Sequence, residues 1–358
     1  MFRKLHAHGL TVLAAFGFGA AGAGAQIDVS GSVDFYYQYN FNKENPSLRT
    51  FDIQHNSFTP SYAEVVLEKA ASATSRVGGR VDLGFGPTAD IVGSFEPGSD
   101  EVFKHLQQAY ISVAAGDNLT VDVGKFVTPH GAEVIESQNN WNYSRSILFG
   151  YAIPFYHTGA RVALTASDQL TFTGFLVNGM NNSTDNNADK TFGASVALTP
   201  NEQISWFGNF MAGKEGDADV DGDQDLLWLF DTTLSFAATD VLTLMANFDY
   251  GSATDYVATG TDATWWGIAA YARFQPQEDW ALAGRFEYIN DEDGGFMTLG
   301  QKAQSFTATS DHTVFEDLIA RFEFRFDITD NNTVFTDADG NPTENQPSIG
   351  LGLVYELN

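Results

Sequence analysis

The chain lacks cysteine, is poor in proline and carries few bases. With no Cys among 358 residues, a disulfide-stapled secreted scaffold is argued against. Only 10 Pro are present and no Pro/Ser-rich linker interrupts the chain, so one continuous domain is expected despite the length. Lys and Arg total 18 against 46 Asp and Glu, a net charge of −28. That balance argues against nucleic acid and anionic membrane surfaces as partners and favours cations. Beyond the first 25 residues no segment approaches the roughly 18 uninterrupted apolar residues that a spanning helix requires. What the chain has instead is 30 Phe, 13 Tyr, 6 Trp and 34 Gly.

Residues 1–25 combine a basic start (Arg3, Lys4), an apolar stretch from Leu10 to about Ala20 and the small residues Ala23-Gly24-Ala25. This is the pattern of a secretory signal peptide, with cleavage expected after Ala25. The mature domain is then 26–358.

Leu318 to Ile328 shows what that domain is made of. Leu318, Ala320, Phe322, Phe324, Phe326 and Ile328 alternate with Ile319, Arg321, Glu323, Arg325 and Asp327. A strand sends successive side chains to opposite faces, giving one greasy wall and one charged wall. A soluble sheet would turn the greasy wall to a core, whereas a membrane barrel turns it to lipid and the charges to a wet lumen. Ile27–Phe41 repeats the pattern, and comparable stretches follow at about 58–69, 75–86, 104–115, 119–127, 155–167, 169–179, 190–199, 203–212, 225–238, 241–250, 263–275, 279–289, 302–313, 317–328 and 348–357. The expected fold is all-β: a transmembrane antiparallel up-and-down barrel of about 16 strands.

Connection lengths alternate too. Gly116-Asp117-Asn118, Pro200-Asn201-Glu202 and Gln275-Pro276-Gln277 are tight turns, while 42–57, 87–103, 128–154, 180–189, 213–224, 251–262, 290–301 and 329–347 are long and polar. Short periplasmic turns and long outer loops make this alternation in a barrel. Phe172, Phe192, Trp206, Phe210, Phe230, Phe274, Trp280 and Phe286 lie mostly near strand ends on the apolar face, where an aromatic girdle belongs.

The longest connection, 128–154, holds Trp141, Tyr143, Ile147, Leu148, Phe149 and Tyr151. A segment so apolar is expected to pack inside the barrel and narrow it. The stretch containing it, "VDVGKFVTPHGAEVIESQNNWNYSRSILFGYAIPFYHTGARV" (Val121 to Val162), resembles the signature of the putative beta-barrel porin-2 family of outer-membrane proteins. Weaker similarity runs through "RVDLGFGPTADIVGSFEPG" (Arg80 to Gly98) and "VFTDADGNP" (Val334 to Pro342). The resemblance implies an outer-membrane barrel and a porin, without naming a solute. Barrels of this kind commonly end in an aromatic residue, whereas this chain ends Leu357-Asn358. Leu357 keeps the outward apolar position, and a weaker assembly signal is the expectation.

The loop residues expected to set the constriction are His130, Glu133, Glu136, Trp141, Tyr143 and Arg145. Strand parity puts Arg80, Asp82, Arg161, Arg273, Arg285, Glu287, Arg321, Glu323, Arg325 and Asp327 in the lumen. Glu133 and Glu136 would face the arginines across the opening and create a transverse field. Asp217, Asp219, Asp221 and Asp223, with Gly222, resemble the first half of a calcium loop. Position 12 from Asp217 is Trp228 rather than Glu, so a solvated acidic loop, or weakly bound Ca²⁺ or Mg²⁺, is expected and no other cofactor. His130 and His157 lack a nucleophile motif or a metal-ligand spacing, which argues against an enzyme.

These readings converge on passive diffusion of ions and small hydrophilic solutes, with cations preferred. A substrate-selective channel using Trp141 and Tyr143 as a track, and a structural or adhesive barrel with divalent-cation-binding loops, remain the alternatives. Outer-membrane lipid is the surrounding partner, and a homotrimer is expected by analogy.

Overall fold

The computed structural model describes residues 27–72, 74–96, 103–215, 225–258, 261–295 and 297–357. The segment 1–25 and Asp217, Asp219, Asp221 and Asp223 lie outside the described residues. The strands are β1 (Asp28–Asn40), β2 (Ser57–Lys69), β3 (Val77–Phe85), β4 (Leu106–Ala114), β5 (Leu119–Val127), β6 (Tyr156–Ser167), β7 (Leu170–Val177), β8 (Thr191–Asn201) and β9 (Ile204–Glu215). They continue as β10 (Asp225–Thr239), β11 (Leu242–Ala258), β12 (Thr261–Gln277), β13 (Trp280–Asp291), β14 (Gln301–Phe315) and β15 (Leu318–Thr329). A two-residue pair, β16 (Phe335–Thr336) and β17 (Pro342–Thr343), decorates the last outer loop before β18 (Asn345–Leu357). Each barrel strand pairs antiparallel with its neighbours, and β1 pairs with both β2 and β18. The result is a closed barrel of 16 strands. Closure leaves no edge, which hydrocarbon demands because an unpaired backbone group there has no water to bond.

Burial is inverted relative to a soluble protein. Phe322 and Phe324 point outward with 55% and 46% of their surface exposed, while Arg321 and Arg325 on the alternate parity are each 1% exposed. The same inversion runs through Phe172, Phe192, Phe210, Phe230, Phe274 and Phe306, all exposed on the outer wall. An outward apolar band with polar residues inside is the barrel solution for a membrane.

All the expected strands are present, and one boundary differs substantially. Of the loop expected at 251–262, the described residues belong to β11 and β12. Gly251, Ser252 and Ala253 pair with Trp265, Thr264 and Ala263 on one side and with Leu229, Trp228 and Leu227 on the other. The Gly/Ser/Ala composition reads as a loop, but backbone pairing to both neighbours carries it as strand.

Two short helices belong to loops turned toward the lumen. Helix α1 (Pro87–Gly93) follows β3 with a Pro in its first turn, where a missing N–H costs nothing. Helix α2 (Ile147–Tyr151) lies in the long connection, and its N-cap Ser146 accepts from Phe149 N at 3.0 Å, the ordinary use of serine at that position.

A charge placed on the outer wall tests the orientation of the barrel. Phe324→Lys puts an ammonium at the middle of β15 on the lipid face and should destabilise the folded state by about 2–4 kcal/mol. Denaturant titration of the chain refolded into lipid vesicles measures this, and an unchanged midpoint would contradict the outward assignment.

Candidate functional site: the loop inside the barrel

Residues 128–154 fold into the lumen and are held there by two unlike kinds of contact. The apolar half, Ile147, Leu148, Phe149, Ala152 and Ile153, is almost wholly buried. Phe149 and Phe155 pack on Phe51 from the first outer loop, with ring centroids 5.8 and 6.4 Å away. Trp265 Nε1 donates to Ala152 O at 3.0 Å. Glycine clears the way on the wall: a Cβ at Gly267 would meet Leu148 at 2.9 Å, and one at Gly352 would run into the Tyr143 ring.

The polar half is held by charge. Arg285, on the lumenal face of β13, pairs with loop Glu133 at 2.7 Å and with Glu287 at 3.1 Å, and donates to Ser144 O at 2.7 Å. Glu133 in turn accepts from Ser146 N at 2.6 Å. Glu287 accepts from Ile147 N. Glu323 takes Tyr143 N at 2.7 Å and Ser144 N at 3.0 Å, and Tyr143 Oη donates to Asp34 at 2.8 Å. Arg325 pairs with Asp327 at 2.7 Å and donates to Arg145 O at 2.5 Å. Arg321 pairs with Asp311 at 3.2 Å and donates to Ser137 O at 2.5 Å. Hydrogen bonds to ions are about twice as strong as neutral ones, so these contacts fix the register of the loop on the wall.

The expected constriction residues therefore divide. Glu133 and Tyr143 are anchors. Arg145 folds back on its own loop, donating to Val134 O at 2.9 Å and Ile135 O at 2.6 Å and lying 5.3 Å from the Phe51 ring. Trp141 packs edge-on to Tyr271 at 6.3 Å. His130 packs beside His157: the two share the Thr128 hydroxyl, each at 3.1 Å. Burial and the neighbouring His157 hold His130 well below its usual range, so it is neutral packing at the root of the loop.

The expected transverse field between loop acids and wall arginines is not what the geometry makes. Glu133 touches Arg285 instead of facing it across an opening. Glu136 lies instead in the electrostatic neighbourhood of Asp82 and Glu64 on the β2–β3 wall, with Arg80 and Arg145 also acting on it. Burial holds the Glu136 carboxyl above the usual carboxylate range, and Asp82 adds to the effect. Of the remaining lumenal bases, Arg80 pairs with Asp82 at 2.8 Å and Glu68 at 3.2 Å. Arg161 pairs with Asp122 at 2.8 Å, and Arg273 with Asp311 at 3.2 Å.

The first outer loop contributes residues that the sequence pattern did not single out. Arg49 reaches Asp52 at 2.7 Å and Asp327 at 2.9 Å, joining that loop to the β15 network. Its signal was available: Leu48 and Phe51 are apolar residues in a polar loop, the same anomaly that marks 128–154. A third inward tie, Lys125 to Glu96 at 3.0 Å, holds the loop carrying α1.

The family model of the putative beta-barrel porin-2, OmpL-like proteins matches residues 26–357. The chain belongs to this family. No curated protein matches the sequence. Among solved structures, this porin-family barrel is similar to the outer-membrane expressed OmpT of Vibrio cholerae, at 10% identity and a TM-score of 0.61, covering 94% of this chain and 99% of that one. It is similar as well to an anion-selective porin from Comamonas acidovorans, at 11% identity and a TM-score of 0.63, covering 93% and 99%. A mutant porin of Rh. blastica aligns at 13% identity and a TM-score of 0.55, covering 93% and 100%. At these identities the likeness establishes the fold. With the family, it makes this chain an outer-membrane porin channel.

Arg285→Ala tests the latch. It removes the base from Glu133 and Glu287 together and should weaken loop docking by about 3–5 kcal/mol, the penalty of leaving buried charges unpaired. The 134–146 segment should become cleavable by added protease while the barrel stays folded. Persistent protection would assign the docking to the apolar half alone.

Proposed function

We propose that this porin passes small hydrophilic solutes and inorganic ions passively, with cations preferred, through a lumen narrowed by residues 128–154. One observation carries the cation preference: the lumenal arginines are committed. Arg285, Arg321 and Arg325 each face a carboxylate and at least one loop carbonyl, whereas Glu64 and Glu136 have no ion-pair partner among the described residues. A passing ion then meets bases neutralised by direct pairs and acids that hold no ion pair, an imbalance that favours cations over anions.

The anion selectivity of the Comamonas acidovorans porin does not oppose this at 11% identity, because selectivity resides in side chains and not in the barrel. A selective aromatic track is disfavoured because Tyr143 is buried against Tyr36, 5.9 Å between rings. Catalysis is disfavoured because His130 and His157 are both buried in packing.

Planar-bilayer recording of the refolded mature chain under a potassium chloride gradient tests the proposal. Stable open steps are expected, with a reversal potential on the potassium side. Because the Glu136 carboxyl protonates above the ordinary carboxylate range, acidification should remove its charge early. The cation preference should therefore be full at high pH and decline as pH falls, before ordinary exposed carboxylates titrate near about 4. Silent membranes from a folded barrel would reject the channel, and a chloride-side reversal would reject the preference.

A further inference from the structure

We infer that the seam between the turn of the inner loop and the β2–β3 wall is a cation-binding step in the conduction path, built on Glu64 and Glu136. The inference rests on the channel reading above and names the residues that would hold the ion.

Glu64 on β2, Asp82 on β3 two positions along from Gly84, the register partner of Glu64, and Glu136 on the loop share one electrostatic neighbourhood. Arg80, the neighbouring base, is already shared by Asp82 and Glu68, and Arg145 is the other base that acts on Glu136, so the carboxylates outnumber the bases around them. Like charges gathered in this way favour a counter-ion.

The neutral oxygens around them point the same way. Ser32 lies directly opposite Glu64 in the β1–β2 register, is 1% exposed, and its Oγ has no hydrogen-bond partner. Directly opposite residues on one face have Cβ atoms only about 5 Å apart, so this hydroxyl sits beside the carboxylate. Gln107 Oε1 is buried and unpartnered, and its side chain, with the Tyr62 hydroxyl, fills the space over Gly84, the residue opposite Glu64 on β3. Ser137 Oγ, adjacent to Glu136 in the chain, is a further buried oxygen without a partner. Buried polar groups are seldom left unbonded, and oxygens beside acids are what a hard cation takes.

Among the described residues no three acidic or imidazole groups converge tightly enough to hold a bare metal ion. The site thus fits a small cation that keeps part of its water, reached past the partly buried Glu136, instead of a resident metal. Occupancy by potassium during conduction and competition by calcium follow.

The test compares the full mature chain with Glu64→Gln, Glu136→Gln, the double variant, and Asp339→Asn on the exposed outer loop, each first shown to be folded by its heat-modifiable gel mobility. In bilayers, each Gln variant should lower the potassium-to-chloride permeability ratio roughly twofold, and the double roughly fourfold. Calcium block of the potassium current should weaken about tenfold in the double, and Asp339→Asn should change neither. A double variant that opens with unchanged ratio and block overturns the site, as does an equal effect from Asp339→Asn. Calcium-dependent thermal stabilisation of the micelle-held barrel reads binding without conduction: a shift present in wild type and absent in the double supports the site even if channels are silent, and no difference between them overturns it.

Discussion

A guanidinium with no exposed surface has to be surrounded by acceptors, and Arg285 meets that demand only by drawing a loop into the barrel. Its own strand offers Glu287; Glu133 and the Ser144 carbonyl come from residues 128–154. Arg321 and Arg325 repeat the arrangement with Ser137 O and Arg145 O. Removing a buried ion from water costs several kcal/mol, recovered only when its hydrogen-bonding capacity is filled. The arginine wall and the inner loop are therefore one structure. Neither makes sense alone, because the wall without the loop would leave donors open and the loop without the wall would leave its carbonyls and Glu133 unmatched.

The electrostatics of the lumen follow from that commitment. An arginine enclosed by carboxylates presents little net field to a solute, and at a separation beyond about 8 Å exposed charges are screened in any case. In the proposed channel the effective charge is that of acids without an ion pair, which among the described residues include Glu64, Glu136 and the buried Asp231 and Asp249 on β10 and β11. On that reading, polarity depends on which charges were used to fold the loop as well as on how many of each sign face inward.

Strand positions were legible because a two-residue period is local: Arg321, Glu323, Arg325 and Asp327 declare their face from sequence alone, and the structure buries all four. The inward fold of 128–154 was legible from its apolar content. The different destinations of Glu133 and Glu136 were not, because a loop has no period, and two residues of irregular backbone separate the contact with Arg285 from the neighbourhood of the β2–β3 wall. The part played by Arg49 was legible only in half. Leu48 and Phe51 mark its loop as one that packs, but the partner Asp327 is remote in sequence and nothing local points to it. The extension of β11 and β12 was hidden by composition, since Gly251-Ser252-Ala253 has the residues of a turn and the backbone pairing of a strand.

Division of labour inside the loop explains how Glu136 can be placed accurately without an ion pair of its own. Apolar burial by Ile147, Phe149 and Ile153 is strong but indifferent to small shifts, whereas the ion pairs and backbone bonds to Glu323, Glu287 and Arg285 are directional and reject a shift of one residue. Adhesion comes from one half and register from the other. The short turn from Glu133 to Arg145 is then closed on itself by the Arg145 guanidinium, which spans Val134 O and Ile135 O, and by Asn140 Nδ2, which donates to Val134 O at 2.9 Å and Glu136 O at 2.8 Å. The backbone of Glu136 is fixed by these neighbours, while its carboxyl enters no ion pair among the described residues and meets Arg80 and Arg145 only through the field. A residue held in place by others is a position where a charge can change with little change in the fold.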